Sequence, residues 1–159
     1  MTTPQRLYPA YLPWLTWGLA AALFFSEYFG RVAPGVMVPQ LMKAYQIQAY
    51  ALGALSAFFY YPYVMMQLPV GILVDRYGPR RLLAFTAVAC AFGCYLFASA
   101  NSLHLAQLGR FVMGFSASFA FVGTLKLASQ WFPAHRFGLL ASTTQALGML
   151  GAAAGEAPM

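Results

Sequence analysis

Apolar residues fill this chain in blocks long enough to cross a lipid bilayer, separated by short polar joints. After Lys43, 31 residues pass without a charge before Asp75, and after Arg81 another 28 pass before Arg110. A helix rises about 1.5 Å per residue, so about 20 residues cover a hydrocarbon core of about 30 Å. The pattern predicts five spans: residues 12–32, 50–74, 82–100 and 103–127, and a fifth from residue 137 that is still running at Met159. Pro34, Gly35, Pro39 and Lys43 mark the first joint, Asn101 and Ser102 a very short third one, and Lys126 to Arg136 the fourth. Trp14 and Trp17 stand at the start of the first span, where amphipathic rings anchor at the membrane interface.

The second joint, GILVDRYGPRR from Gly71 to Arg81, is where charge concentrates. Gly78 can turn back with positive φ past the end of one helix, and Pro79 pre-sets φ for the first turn of the next. A tight hairpin between two spans results. Its three arginines place it on the cytoplasmic side. With alternating spans, Arg6, Arg76, Arg80, Arg81, Lys126 and Arg136 all fall inside and Lys43 alone outside. A multi-pass protein of the cell (inner) membrane with a cytoplasmic N-terminus is therefore expected. Asp75 sits at a helix C-terminus, the unfavourable end of the macrodipole for an anion, and wants a compensating Arg or a helix N-terminus nearby.

Composition agrees with the pattern. The 159 residues are 61% hydrophobic and 8% charged, against about 25% charged in soluble domains. The net charge of +6 follows topology rather than nucleic acid, because the basic residues form no stripe of the kind a phosphate backbone would need. The opening apolar run is long, Trp-rich and continuous, which reads as an uncleaved first span and not a signal peptide. Cys90 and Cys94 share one face of the third span; without further ligands they read as packing residues and not as a metal site. No metal cluster, phosphate-cradling loop, or Ser, His and acid set marks an enzyme, and no cofactor is expected.

The hairpin resembles the signature loop of the major facilitator superfamily, which reads Gly, any, Leu, any, Asp, Arg, any, Gly, any, Arg or Lys. Gly71, Leu73, Asp75, Arg76, Gly78, Arg80 and Arg81 fill it without a gap. The resemblance implies a gating element whose charge cluster docks against the other half of a two-half transporter. GRFVMGFSAS, Gly109 to Ser118, resembles the family's fourth-helix motif through Arg110 and Gly114, with Met113 where the family usually has Gln. WFPAHRFG resembles the connection between helices four and five in the organic-anion branch, His135 standing where an acidic residue commonly precedes the Arg. The family has twelve helices in two halves of six. What the resemblance implies for residues 1–159 is an all-α membrane protein, an incomplete N-terminal half cut within its fifth helix, its partner being the missing C-terminal half.

Ionisable residues inside spans are costly and usually face a cavity. Glu27 lies about 22 Å and Arg31 about 28 Å above the start of the first span, while Arg110 lies about 10 Å below the outer end of the fourth. Depth thus permits a Glu27–Arg110 pair, and a Glu156–Arg31 pair as well. Glu27 and Arg31, at i and i+4, could equally neutralise each other. Arg31 resembles the first-helix Arg that reads substrate carboxylates in organic-anion symporters, with Gly30 replacing the Asp often found beside it. A guanidinium has the planar fork such recognition uses. Tyr60, Tyr63 and Gln67, at i, i+3 and i+7, put hydrogen-bonding groups on one face of the second span, which lines either a cavity or a packing seam. Pro62 and Pro69 should bend that span. Gly151 and Gly155 stand in small-xxx-small spacing, which reads as close helix packing.

These residues outline a secondary transporter of a small organic solute, an organic anion above all, by proton-coupled alternating access in a lipid bilayer. Arg31, Tyr60, Tyr63 and Gln67 would bind the solute. Glu27, Arg110 and Glu156 would handle the proton. Gly71, Asp75, Arg76, Gly78, Arg80 and Arg81 would gate. The alternatives are an amino-acid, peptide or siderophore carrier of the same superfamily, or a membrane fragment without transport of its own.

Overall fold

The computed structural model describes residue 9 and residues 11–157; Arg6 and Pro158 lie outside them. Seven α-helices make up the described chain: α1 (Leu12–Val36), α2 (Val38–Tyr45), α3 (Ala49–Met66), α4 (Pro69–Tyr77), α5 (Pro79–Ala98), α6 (Leu103–Trp131) and α7 (Ala134–Glu156). The fold is all-α, as the hydropathy pattern requires.

Among the described residues, α5, α6 and α7 are each long and apolar enough to cross a membrane, and α3 with α4 forms a fourth, broken span bent by 62°. The first expected span, α1, is 25 residues long and carries Glu27 and Arg31 in its second half. Of the two prolines expected to bend the second span, Pro62 is absorbed within α3. The break comes at Gln67 and Leu68, where Pro69 opens α4. A proline at the first helical position loses no hydrogen bond, so a new helix starts there at little cost.

The first joint is a helix and not an irregular connection. α1 runs past Pro34 to Val36, and the short α2 follows with Pro39 in its first turn and Lys43 in its last. Leu41 of α2 packs with Leu52, Leu55 and Ala106 in a core at that end of the bundle, and the Tyr45 hydroxyl donates to Ala100 O at 3.3 Å. Gln46, with φ 50°, stops α2. At the opposite end Gly78, with φ 82°, joins α4 to α5 and Pro79 opens α5, as the hairpin reading predicts.

The central helix is α6, in contact with α1, α3, α4, α5 and α7. Small residues bring its neighbours close. A Cβ on Gly114 would collide with the Phe59 carbonyl of α3. The α1–α7 contact is also close: Gly155 lies under the Phe29 carbonyl, with a Cβ there only 2.8 Å from the oxygen, and Gly151 lies still more tightly under that of Phe25. The packing seam expected of Gly151 and Gly155 is the seam with α1.

Candidate functional site

Two polar groups are carried into the bundle by successive turns of α1. Glu27 is 3% exposed and neither carboxylate oxygen has a hydrogen-bond partner among the described residues. Its polar surroundings are Cys90 of α5, Arg31 of its own helix and Ser116 of α6. The Ser116 hydroxyl donates to Met113 O at 2.8 Å.

One turn further on, the Arg31 guanidinium is walled by rings. It lies 4.4 Å from the centroid of Tyr28, 4.7 Å from Tyr63 and 5.4 Å from Phe59. Its Nε is buried without a partner. Arg110 of α6 is 1% exposed and lies over the same Phe59 ring, 4.6 Å from its centroid. Its charge is anchored on backbone: Nη1 donates to Gly30 O at 2.7 Å and Nη2 to Arg31 O at 3.3 Å. Two cations thus share one aromatic ring, one of them held by carbonyls and the other among rings. Attraction of a guanidinium to an aromatic face strengthens when water is excluded, as it is around Phe59.

The depth arithmetic permitted pairs that the side chains do not make. Among the described residues the one ion pair is Lys126 Nζ to Asp75 Oδ1, at 2.6 Å. Arg110 turns to α1 carbonyls rather than to Glu27, and Glu156 is exposed at the end of α7. Tyr60 joins the cluster through an edge-to-face contact with Phe59, centroids 5.5 Å apart. Gln67, exposed at the α3–α4 break, makes no hydrogen bond to Arg31. Met113, in the place where Gln is usual, is buried against Phe59 and Ala117. Its methyl group would sit 3.0 Å from a Cβ on Gly30, so this α1–α6 contact is apolar where the family's usual side chain is polar.

In the hairpin, Asp75 finds its cation on α6, in Lys126, and not in the loop's own arginines. The pair flanks a cleft of about 290 Å³ lined also by Gly71, Val122, Ser129 and Phe137. A Cβ at Gly71 would meet nothing within 4 Å, so no contact inside this chain requires glycine there. Arg80 lies 3.9 Å from the Trp131 ring, Arg76 stacks near Tyr77, and Arg76 and Arg81 are exposed. Cys90 and Cys94 are free, and no group of three or more metal-ligating side chains occurs among the described residues.

Sequence reasoning missed Phe59, Tyr28, Ser116 and Lys126. Tyr28 stands at i−3 from Arg31 and Phe59 at i−4 from Tyr63, spacings that place them on the faces already singled out. Lys126 stands where the fourth expected span and the joint after it overlap, and the structure places it within α6.

Comparison with known proteins places this architecture. The Major Facilitator Superfamily profile matches residues 20–158. The chain belongs to that superfamily, and it is a multi-pass membrane protein. It is 31% identical to the Bacillus subtilis protein named "Uncharacterized transporter YybO" over 131 residues, 82% of this chain and 30% of that protein. It is 26% identical to "Probable sulfoacetate transporter SauU" of Cupriavidus necator, over 86% of this chain and 32% of that protein. With "Probable galactarate/D-glucarate transporter GarP" of Escherichia coli the identity is 25%, over 70% of this chain and 27% of that protein. The chain spans about a third of the length of these relatives.

Proposed function

We propose that this chain is the N-terminal portion of a secondary transporter that moves a small organic anion by proton-coupled alternating access. The observation that carries the reading is the Arg31 guanidinium, walled by Tyr28, Phe59 and Tyr63, beside an Arg110 whose two terminal nitrogens donate to α1 carbonyls; the Nε of each arginine is buried and unpartnered. Arg110 holds the wall; Arg31 keeps donors for a ligand. A carboxylate or sulfonate accepts such donors in pairs, and two neighbouring cations without an ion-paired acid attract an anion. Relatives named for sulfoacetate and for galactarate or D-glucarate support an anionic solute.

Tyr60, Tyr63 and Gln67 extend the solute site along α3 and supply the hydroxyl and amide groups that a polyhydroxylated acid would use. Glu27 is the proton carrier. It lies one turn from Arg31, so filling the anion site changes the field at its carboxyl, and a proton taken there balances charge in an apolar surrounding. Glu156, at the end of the bundle, is a second proton-accepting position. Gly71, Asp75, Arg76, Gly78, Arg80 and Arg81 form the gate, with the unobstructed Gly71 face free to receive an opposing helix. Alternating access rocks two halves about a central site, so transport needs a second half besides this chain. The basic hairpin faces the cytoplasm.

Uptake of a panel of sulfonates, aldarates, monocarboxylates and amino acids into vesicles bearing the transporter tests the reading. The expected result is uptake of an anion that Arg31→Ala abolishes and Arg31→Lys leaves strongly weakened. Uptake confined to neutral or cationic solutes, or untouched by Arg31→Ala, contradicts it.

A further inference from the structure

Pro34 stands inside α1, buried, four residues after Gly30. In an α-helix the carbonyl of residue 30 receives the N–H of residue 34, and proline has none. A carbonyl withdrawn from water and left without a donor is destabilising. Gly30 O is the atom that receives Arg110 Nη1, at 2.7 Å, the shorter of that guanidinium's two bonds to α1. The gap made by Pro34 and the donor on α6 therefore meet at one atom.

We propose that Pro34 is a positioning residue for anion recognition: by emptying the Gly30 carbonyl it draws Arg110 onto α1 and so fixes the turn that carries Arg31. This rests on the reading of Arg31 as the anion-binding group. The same guanidinium bonds the carbonyl of Arg31 itself, so the clasp reaches the backbone of the residue it orients. Phe59, shared by both guanidiniums, is the wall that the clasp sets in register. Glycine at position 30 leaves room for Met113 at the same crossing, since a Cβ there would stand 3.0 Å from the Met113 methyl. Replacing Pro34 with alanine restores the helical N–H to Gly30 O and makes Arg110 redundant at that atom.

The test is a double-mutant cycle on the full transporter with Pro34→Ala, Arg110→Gln and both together, reading thermal unfolding in detergent and anion uptake. Unfolding reports the clasp without depending on transport. Arg110→Gln is expected to lower the unfolding temperature clearly in the native background and distinctly less in Pro34→Ala. If Arg110→Gln alone fails to accumulate, its recovery by Pro34→Ala is the same result. Additive shifts, or equal failure of single and double variants, overturn the clasp. In uptake, Pro34→Ala is expected to raise KM about tenfold, the size of one charge-assisted hydrogen bond, with the maximal rate changed much less. An unchanged KM overturns the positioning role even where the clasp is found. Absence of anion uptake by the unaltered protein is a failure of the transporter reading and leaves the unfolding cycle to decide the clasp.

Discussion

Lys126 of α6 holds Asp75 of α4 at 2.6 Å, so the acid of the signature hairpin is paired within this chain. The acid is 66% exposed and the lysine 36%, and an exposed pair of this kind contributes about 0–1 kcal/mol, less in salt. Lys126→Met and Asp75→Asn should each shift the unfolding temperature of the solubilised protein by no more than a few degrees, while altering the exchange of solute across the membrane. A large loss of stability in both variants would assign the pair to the fold instead of the gate.

Gly114 is a site where the fold tolerates no side chain. Its missing Cβ admits the Phe59 carbonyl of α3, and a methyl group there must push apart two helices that together frame Arg110. Overpacking of this kind costs about 1–3 kcal/mol. Gly114→Ala is expected to lower the unfolding temperature sharply. Gly53→Ala, where a Cβ meets nothing within 4 Å, should be neutral or slightly stabilising because alanine favours helix. Equal behaviour of the two variants would contradict the close α3–α6 approach.

Phe59 is the ring that Arg31 and Arg110 share. Phe59→Leu keeps most of the apolar volume and removes the aromatic face, which is worth about 0.5–2 kcal/mol per cation. The expected outcome is a severalfold rise in KM for the transported anion with near-normal amounts of folded protein. Phe59→Tyr, which keeps the ring, should stay closer to the native KM. A leucine variant with native affinity would reduce Phe59 to packing.

Much of this structure was legible in the order of residues, and the misses share a physical cause. Long uncharged runs fixed the helices, and Gly78 with Pro79 fixed the hairpin, because backbone constraints are local. The pairs that depth permits, Arg110 with Glu27 and Arg31 with Glu156, rest on height along the bilayer alone. Height leaves the rotation of each helix about its axis unspecified, and rotation sends Arg110 to the Gly30 and Arg31 carbonyls. The α2 helix was hidden because Pro39 reads as a breaker when it is a first-turn residue. Phe59 was hidden because an aromatic residue in an apolar run carries no mark of the cations it faces.

The central claim, that an anion bound at Arg31 travels with a proton held by Glu27, is tested most directly by one comparison. Uptake driven by an inward proton gradient and solute exchange at equal pH are measured in vesicles carrying the native transporter and Glu27→Gln. Glutamine keeps the size and the hydrogen-bonding edge of a protonated carboxyl but cannot release a proton. The expected result is that Glu27→Gln loses gradient-driven accumulation and retains exchange. Accumulation that persists in Glu27→Gln, with the same dependence on the gradient, would contradict the account.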